Sequence, residues 1–411
     1  MIKKLLHRLL ERRHYWRTVG FSELAELYAN RMLRLMAVNM FSGIVGIFMY
    51  QIGYPLWQIV GVFAAYFLVK AVSAIPAAYF IGRVGPKHGT LVSNFLYIPS
   101  LLALTQLENL HVYALLVFII VQPLAVTLYT VSYHVGFSKV KHSEHAGKEI
   151  GFMYIVEKFG AGLSPVVGGL IAYMFGPETV MWMASILFLL SAGPLFFSPE
   201  PVMTHQHIIF RGFNWRATWR NLVSMLSIGA DQALSGSIWS LFVAIAVFGT
   251  TNNIVYAQVG ALLGIAFVAS LVFARLYGAI IDRRRGGELL RAAVIGNSLL
   301  HATRAFVSTP VGVVMVNVAN EATTSGYSMP YLKGQYDMAD SLPGYRIVYM
   351  AIMEFAVGLG ASIMMLILLG LTFLLDDVRG LQVGYIVAAV AVLPIIWHGF
   401  PALRSSRFAA R

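Results

Sequence analysis

Apolar residues run along the chain in blocks broken by short polar turns. Blocks of about 20 residues are long enough to cross a bilayer as helices. The first six are expected at 31 to 52, 56 to 82, 89 to 105, 111 to 137, 150 to 175 and 179 to 198. The second six are expected at 222 to 249, 254 to 281, 289 to 308, 311 to 332, 345 to 375 and 380 to 400. The pattern therefore predicts an all-α polytopic membrane protein with small loops. Its parts are an N-terminal segment at 1–30, a six-helix bundle at 31–198, a connector at 199–221, a second six-helix bundle at 222–400 and a tail at 401–411. At the start, MIKKLLHRLLERRHYWR sets Leu5, Leu6, Leu9 and Leu10 on one face and Lys3, Lys4, Arg8, Arg12 and Arg13 around the other. Such a segment is expected to lie on the membrane surface as a basic amphipathic helix.

Composition agrees. Of the 411 residues, 58% are hydrophobic and 12% charged, with mean hydropathy +0.72, against about a quarter charged in a soluble domain. If the loops alternate sides, 25 of the 30 Lys and Arg fall on the side of the termini, Arg379 alone on the other, and Lys70, Lys158, Arg275 and Arg304 within spans. That asymmetry predicts both termini in the cytoplasm. The isoelectric point near 9.8 then follows from topology and anionic lipid headgroups, without nucleic-acid binding. No cysteine is present, which excludes disulfide scaffolds, cysteine zinc sites and iron–sulfur clusters. With no N-x-S/T sequon either, a prokaryotic inner membrane is the expected location.

The halves repeat. FIGRVGPKHG from Phe80 overlies IIDRRRGGEL from Ile280, with Gly82 and Arg83 opposite Asp282 and Arg283. MYIVEKFGAG from Met153 overlies MAIMEFAVGL from Met350, which pairs Glu157 with Glu354. Parallel six-helix repeats about an axis along the membrane normal are a recurring plan of secondary transporters.

These residues resemble the major facilitator superfamily. Its loop between helices 8 and 9 is matched by Gly278, Asp282, Arg283, Arg285 and Gly286; the loop between helices 2 and 3 keeps Arg83, Gly85 and Lys87 but has Ala78 and Gly82 for the family's Gly and Asp. The resemblance implies that these loops gate the cytoplasmic side and that the protein works as a monomer. On helix 5, Gly151, Gly160, Ser164, Pro165, Gly168 and Gly169 follow the spacing of the family's antiporter motif, with Ser164 and Tyr173 departing from glycine. Close helix packing by the glycines and a kink at Pro165 are the competing reading. Helix 4 lacks the arginine of the proton-coupled drug antiporters.

The resemblance also implies that helices 1, 4, 7 and 10 line a cavity. Charged groups within spans are costly and mark candidate sites. Asp231 on helix 7 and Glu321 on helix 10 both fall near mid-membrane, and are expected to flank one site that binds protons or an amine. Around them stand Asn317, Asn320, Thr324 and Tyr327; helix 4 offers Tyr129, Tyr133 and His134, and helix 1 Asn39. The alternative is that neighbouring hydrogen bonds neutralise the carboxylates, which then only support packing. In the resembled fold Glu157 and Glu354 sit at the seam between halves, with Lys70 and Arg275 as candidate partners in a gating latch or in plain structural ion pairs. Arg304 is expected to snorkel to the interface. The histidines at 142, 145, 205 and 207 have no complete metal shell, so no metal or cofactor is expected.

The expected function is secondary active transport of a small solute or amphiphile by alternating access, coupled to protons, in contact with membrane lipids. An uncoupled facilitator and a lipid or lysolipid flippase are the alternatives within transport. A non-transporting sensor or scaffold is the alternative outside it. An intramembrane enzyme is disfavoured, since G-x-S-x-G, H-E-x-x-H and a GxGD-like aspartate pair are all missing.

Overall fold

The computed structural model describes residues 21–140, 155–196, 200, 205–250, 252–283 and 285–403. The expected N-terminal surface helix, His142, His145 and Gly151 lie outside them.

In a bilayer the backbone must satisfy itself, and here it does so almost wholly in helices. Twelve long helices run α1 Phe21–Gln51, α2 Leu56–Val84, α3 Pro86–Thr105, α4 Val112–Val140, α5 Ile155–Phe175, α6 Pro177–Phe196, α7 Trp215–Phe248, α8 Ile254–Asp282, α9 Gly286–Arg304, α10 Pro310–Asp340, α11 Arg346–Leu374 and α12 Asp377–Trp397. Among the described residues, nine are long and apolar enough to cross a membrane by themselves. The other three, α3, α9 and α10, carry polar side chains turned inward, among them Asn94, Asn297, Arg304 and Asn317.

Local chemistry sets many of the starts. Pro86 and Pro177 open α3 and α6 directly after Gly85 and Gly176, whose φ values of +93° and +90° suit glycine. Asn214, Thr309 and Asp376 cap α7, α10 and α12 through side-chain oxygens that accept from the third residue on. Several bounds differ from the sequence expectation. Helix α1 begins by Phe21, so Arg31 and Arg34 lie well inside it and not in its first turn. Helix α7 begins at Trp215, inside the expected connector, and α10 continues to Asp340, its polar last turns braced by Lys333 and Asp337 at 3.0 Å.

The helices form two six-helix bundles, α1–α6 and α7–α12. They meet where α2 packs on α11 and α5 on α8. At the first seam a Cβ on Gly358 would sit 2.6 Å from the Ala71 nitrogen, so glycine lets α11 touch α2 backbone to backbone. The segment joining the bundles defines one face of the molecule: its Gln206 and His205 amides donate to the Gly82 and Arg83 carbonyls at the end of α2 (2.8 and 3.2 Å). On the far face, side chains of α1 close the bundles together. The Tyr50 hydroxyl meets Asp377 of α12 at 3.0 Å, Gln51 donates to the Thr250 carbonyl at 3.0 Å, and Tyr256 donates to Gln51 at 2.6 Å. Outside, Leu116, Ile120, Leu299, Val311 and Leu374 stand exposed, as a hydrocarbon-facing surface requires.

Candidate functional site

A cavity of about 360 Å³ lies between the bundles, lined from α1, α2, α4, α5, α7, α10 and α11. Its charged groups are Arg31, Lys70, Glu157 and Glu354, with Tyr133, His134, Gln232, Ser328, Tyr331 and Gln335 among its polar wall. The Lys70 ammonium reaches Glu354 at 2.9 Å across the α2–α11 seam, each side chain 8% exposed. Toward the connector face the cavity is bounded by another contact between bundles, His134 to the Tyr336 hydroxyl at 2.8 Å, with Phe137 against the Tyr336 ring.

Glu157 differs from expectation. Its partner is Arg31 of its own bundle, at 2.7 Å, and Arg275 is exposed on α8. The asymmetry arises because α1 begins early enough to bring arginines into the bundle. Arg31 also donates to the Tyr129 hydroxyl at 3.0 Å and lies over the Tyr133 ring at 4.3 Å. Arg34 is 2% exposed, bonds to Asn94 and stacks on Tyr129 at 3.7 Å. In the count of loop charges both arginines fall among the 25 on the side of the termini. Their separation of three residues puts them on one helical face, though spacing alone does not say that the face turns inward.

Asp231 and Glu321 do not flank one site. Asp231 is 2% exposed and turned into its own bundle, where it accepts from Ser235 (3.1 Å), Asn297 (3.1 Å) and Tyr327 and meets His301 Nε2 at 2.7 Å. Arg304 completes this cluster. It does not snorkel: it is 1% exposed, donating to Ser235 (2.6 Å) and Asn320 (2.7 Å), with Trp239 stacked at 4.9 Å. A guanidinium with such partners close by has no need of the interface. Ser235 lies in a widened π-helical stretch of α7, Ala233–Ile238, which re-aims the side chains that follow it.

Glu321 instead pairs with Lys158 of α5, so this ion pair also spans the two bundles. It lines a second cavity of about 240 Å³ together with Asn39, Ser42, Ser235, Trp239, Asn317 and Asn320. Here Asn39 donates to the Leu35 carbonyl, and Asn317 accepts from Trp239 at 2.7 Å while donating to the Leu262 carbonyl. Thr324 bonds weakly to Asn320 at 3.4 Å. The adjacent residues Glu157 and Lys158 thus serve different cavities. The polar stripe of α10 is likewise divided, Asn317, Asn320 and Glu321 to one cavity, Ser328 and Gln335 to the other, and Tyr327 to Asp231.

The glycines of α5 lie against backbone. A Cβ on Gly160 would sit 2.8 Å from the Met32 carbonyl oxygen, one on Gly168 2.9 Å from the Met40 carbonyl carbon, and one on Gly169 3.1 Å from that of Tyr256. Gly260 of α8 lies equally close to Pro165. These residues let α5 press on α1 and on α8 at once, which accounts for their size by packing.

In the loop after α2, Arg83 is exposed, while Lys87 is buried beside Glu26 at 3.5 Å. The connector lies over Gly82, where a Cβ would meet Ile208 at 2.8 Å, so an aspartate has no room there. A carboxylate arrives from elsewhere: Glu200 of the connector accepts from the Lys87 and His88 amides at the start of α3 (3.0 and 3.3 Å). After α8, Gly278 is buried, Arg283 is exposed and Arg285 pairs with Glu288 at 2.8 Å; the Asp282 side chain lies outside the described residues.

Solved structures share this helix arrangement. A variant of the E. coli fucose:proton symporter FucP matches with a TM-score of 0.63 and 16% identity over 90% of this chain and 96% of that one. A POT family transporter in complex with 5-aminolevulinic acid gives 0.71 and 12% over 94% and 98%. The human organic anion transporter TETRAN gives 0.66 and 11% over 92% and 99%. At these identities the likeness is one of fold. Among curated proteins no sequence matches. The sequence model described as Major Facilitator Superfamily matches residues 27–364, most of both bundles, and the chain belongs to that superfamily.

Proposed function

We propose that the protein is a secondary active transporter that moves a small solute by alternating access, with protons as the coupling ion. The observation that carries this reading is the cavity between the bundles, crossed by the Lys70–Glu354 pair, with the bundles tied together on the far face by Tyr50, Gln51 and Tyr256. Such a cavity serves transport when the two bundles rock about it and expose it to each side in turn. Glu321 is the proposed proton carrier. Its partner Lys158 belongs to the other bundle, so protonating the carboxylate weakens a link between the moving parts. The absence of N-x-S/T sequons favours a prokaryotic inner membrane, and the loop charges favour the connector face and both termini in the cytoplasm. The resembled fold favours action as a monomer among membrane lipids.

A lipid or lysolipid substrate would need an apolar path for its chain. A groove of about 680 Å³ beside Trp57, Leu115, Ile119, Leu366 and Phe373 offers one near the far face, but the central cavity is lined by ion pairs. The deciding experiment is uptake into proteoliposomes under an imposed pH gradient, over amino acids, peptides, sugars, nucleosides, organic ions and lysolipids. Accumulation of one class, lost in Glu321→Gln while exchange of that solute persists, is the expected result. Accumulation unchanged in Glu321→Gln overturns the coupling role, and no movement of any class overturns transport.

A further inference from the structure

The central cavity contains four charges in two opposite pairs, Arg31 with Glu157 at 2.7 Å and Lys70 with Glu354 at 2.9 Å, and so has no net fixed charge. Resting on the transport reading above, we infer that its ligand is a small zwitterion of amino-acid to dipeptide size, with its carboxylate taken by Arg31 and Tyr133 and its ammonium by Glu354.

Electroneutrality makes the first argument. A singly charged solute in this space would leave one charge uncompensated in a site where Lys70 and Glu354 are almost wholly shielded from solvent, and desolvated charges without partners are strongly disfavoured. A zwitterion adds no net charge and offers each end a partner of opposite sign. The cavity volume, about 360 Å³, falls in the range of roughly 300–1,000 Å³ usual for small-ligand sites.

Tyr133 makes the second. The residue lines this cavity, its hydroxyl is buried with no hydrogen-bond partner among the described residues, and its ring lies under the Arg31 guanidinium at 4.3 Å. A buried hydroxyl left unpaired is costly, and a carboxylate oxygen beside Arg31 would accept from both groups. Arg31 and Tyr133 belong to the first bundle and Glu354 to the second. One molecule held by both ends would therefore bridge the parts that must move together. A neutral polar solute would use Gln232 and Gln335 but leave the four charges without a role.

The test is thermal melting of the purified, detergent-solubilised full chain with ligands on one skeleton: L-alanyl-L-alanine, its methyl ester, its N-acetyl derivative and the N-acetyl methyl ester. Straight-chain amino acids from glycine to aminohexanoate vary the distance between charges. Zwitterions alone are expected to raise the melting temperature. Tyr133→Phe is expected to melt like the parent without ligand and to bind the stabilising zwitterion about tenfold more weakly, the factor expected for one lost charged hydrogen bond. The paired variant Lys70→Met with Glu354→Gln keeps the seam uncharged and is expected to lose the same ligand.

Stabilisation by a singly charged or neutral member equal to that by the zwitterion overturns the inference, as does a flat response to every zwitterion. Unchanged affinity in Tyr133→Phe overturns the carboxylate assignment. Uptake of another solute class into proteoliposomes, with no zwitterion bound, overturns this inference and leaves the transport reading standing.

Discussion

Lys70 on α2 and Glu354 on α11 meet at 2.9 Å across the boundary between the two bundles, where each side chain is only 8% exposed. Removing one member of such a pair strands the other in a poorly solvated site. Lys70→Met or Glu354→Gln alone is expected to cost about 3–5 kcal/mol. Exchanging the two charges, Lys70→Glu with Glu354→Lys, is expected to recover most of that stability. Melting curves of the two single variants and the exchanged pair check this, and an exchanged pair no more stable than the single variants contradicts it.

Asp231 gathers Ser235, Asn297, His301 and Tyr327 around one carboxylate, with Arg304 one hydrogen bond away through Ser235. An asparagine keeps the shape but loses the charge and one accepting oxygen. Asp231→Asn is therefore expected to destabilise the second bundle by about 2 kcal/mol or more. Glu321→Gln is expected to cost less, because Glu321 borders a cavity and its partner Lys158 is about a quarter exposed. Equal loss in the two variants would show that the buried network carries no special stability.

Most of the twelve helices are legible because apolar runs long enough to cross a bilayer leave few alternatives. Asp231, Glu321, Glu157 and Glu354 are legible as charges inside such runs. Hydropathy places a residue along a helix axis but not around it, and the misreadings have that origin. Hydropathy sends Arg304 to the interface, whereas it turns inward; it leaves Arg31 and Arg34 among the charges on the side of the termini, whereas they stack on tyrosines; Glu157 turns to Arg31, leaving Arg275 exposed. The carboxylate at the start of α3 was illegible for another reason, since Glu200 reaches it from more than a hundred residues along the chain.

Glu200 accepts from two amides at the first turn of α3, where the helix end is electropositive. Glu200→Ala is expected to cost about 1 kcal/mol. Gly82→Asp, which would restore the family's aspartate, is expected to destabilise as well, because a Cβ at that position meets Ile208 at 2.8 Å and the connector must lift. A melting temperature raised by Gly82→Asp would refute this account of the missing aspartate.

The far face is held by α1: Gln51 donates to the Thr250 and Asn252 carbonyls at 3.0 and 3.3 Å and accepts from Tyr256 at 2.6 Å, while Tyr50 holds Asp377. Alternating access requires these contacts to part in every cycle. The chain has no cysteine, so introduced thiols are the only ones present. Joining Gln51→Cys to Asn252→Cys with a short bifunctional reagent is expected to stop uptake while leaving the folded protein able to bind ligand from the connector side. Each single variant treated with the same reagent should keep its uptake, and a cleavable linker should restore activity on cleavage. Full uptake by the cross-linked protein would mean that the far face stays closed during turnover, and that the two bundles do not rock about the central cavity.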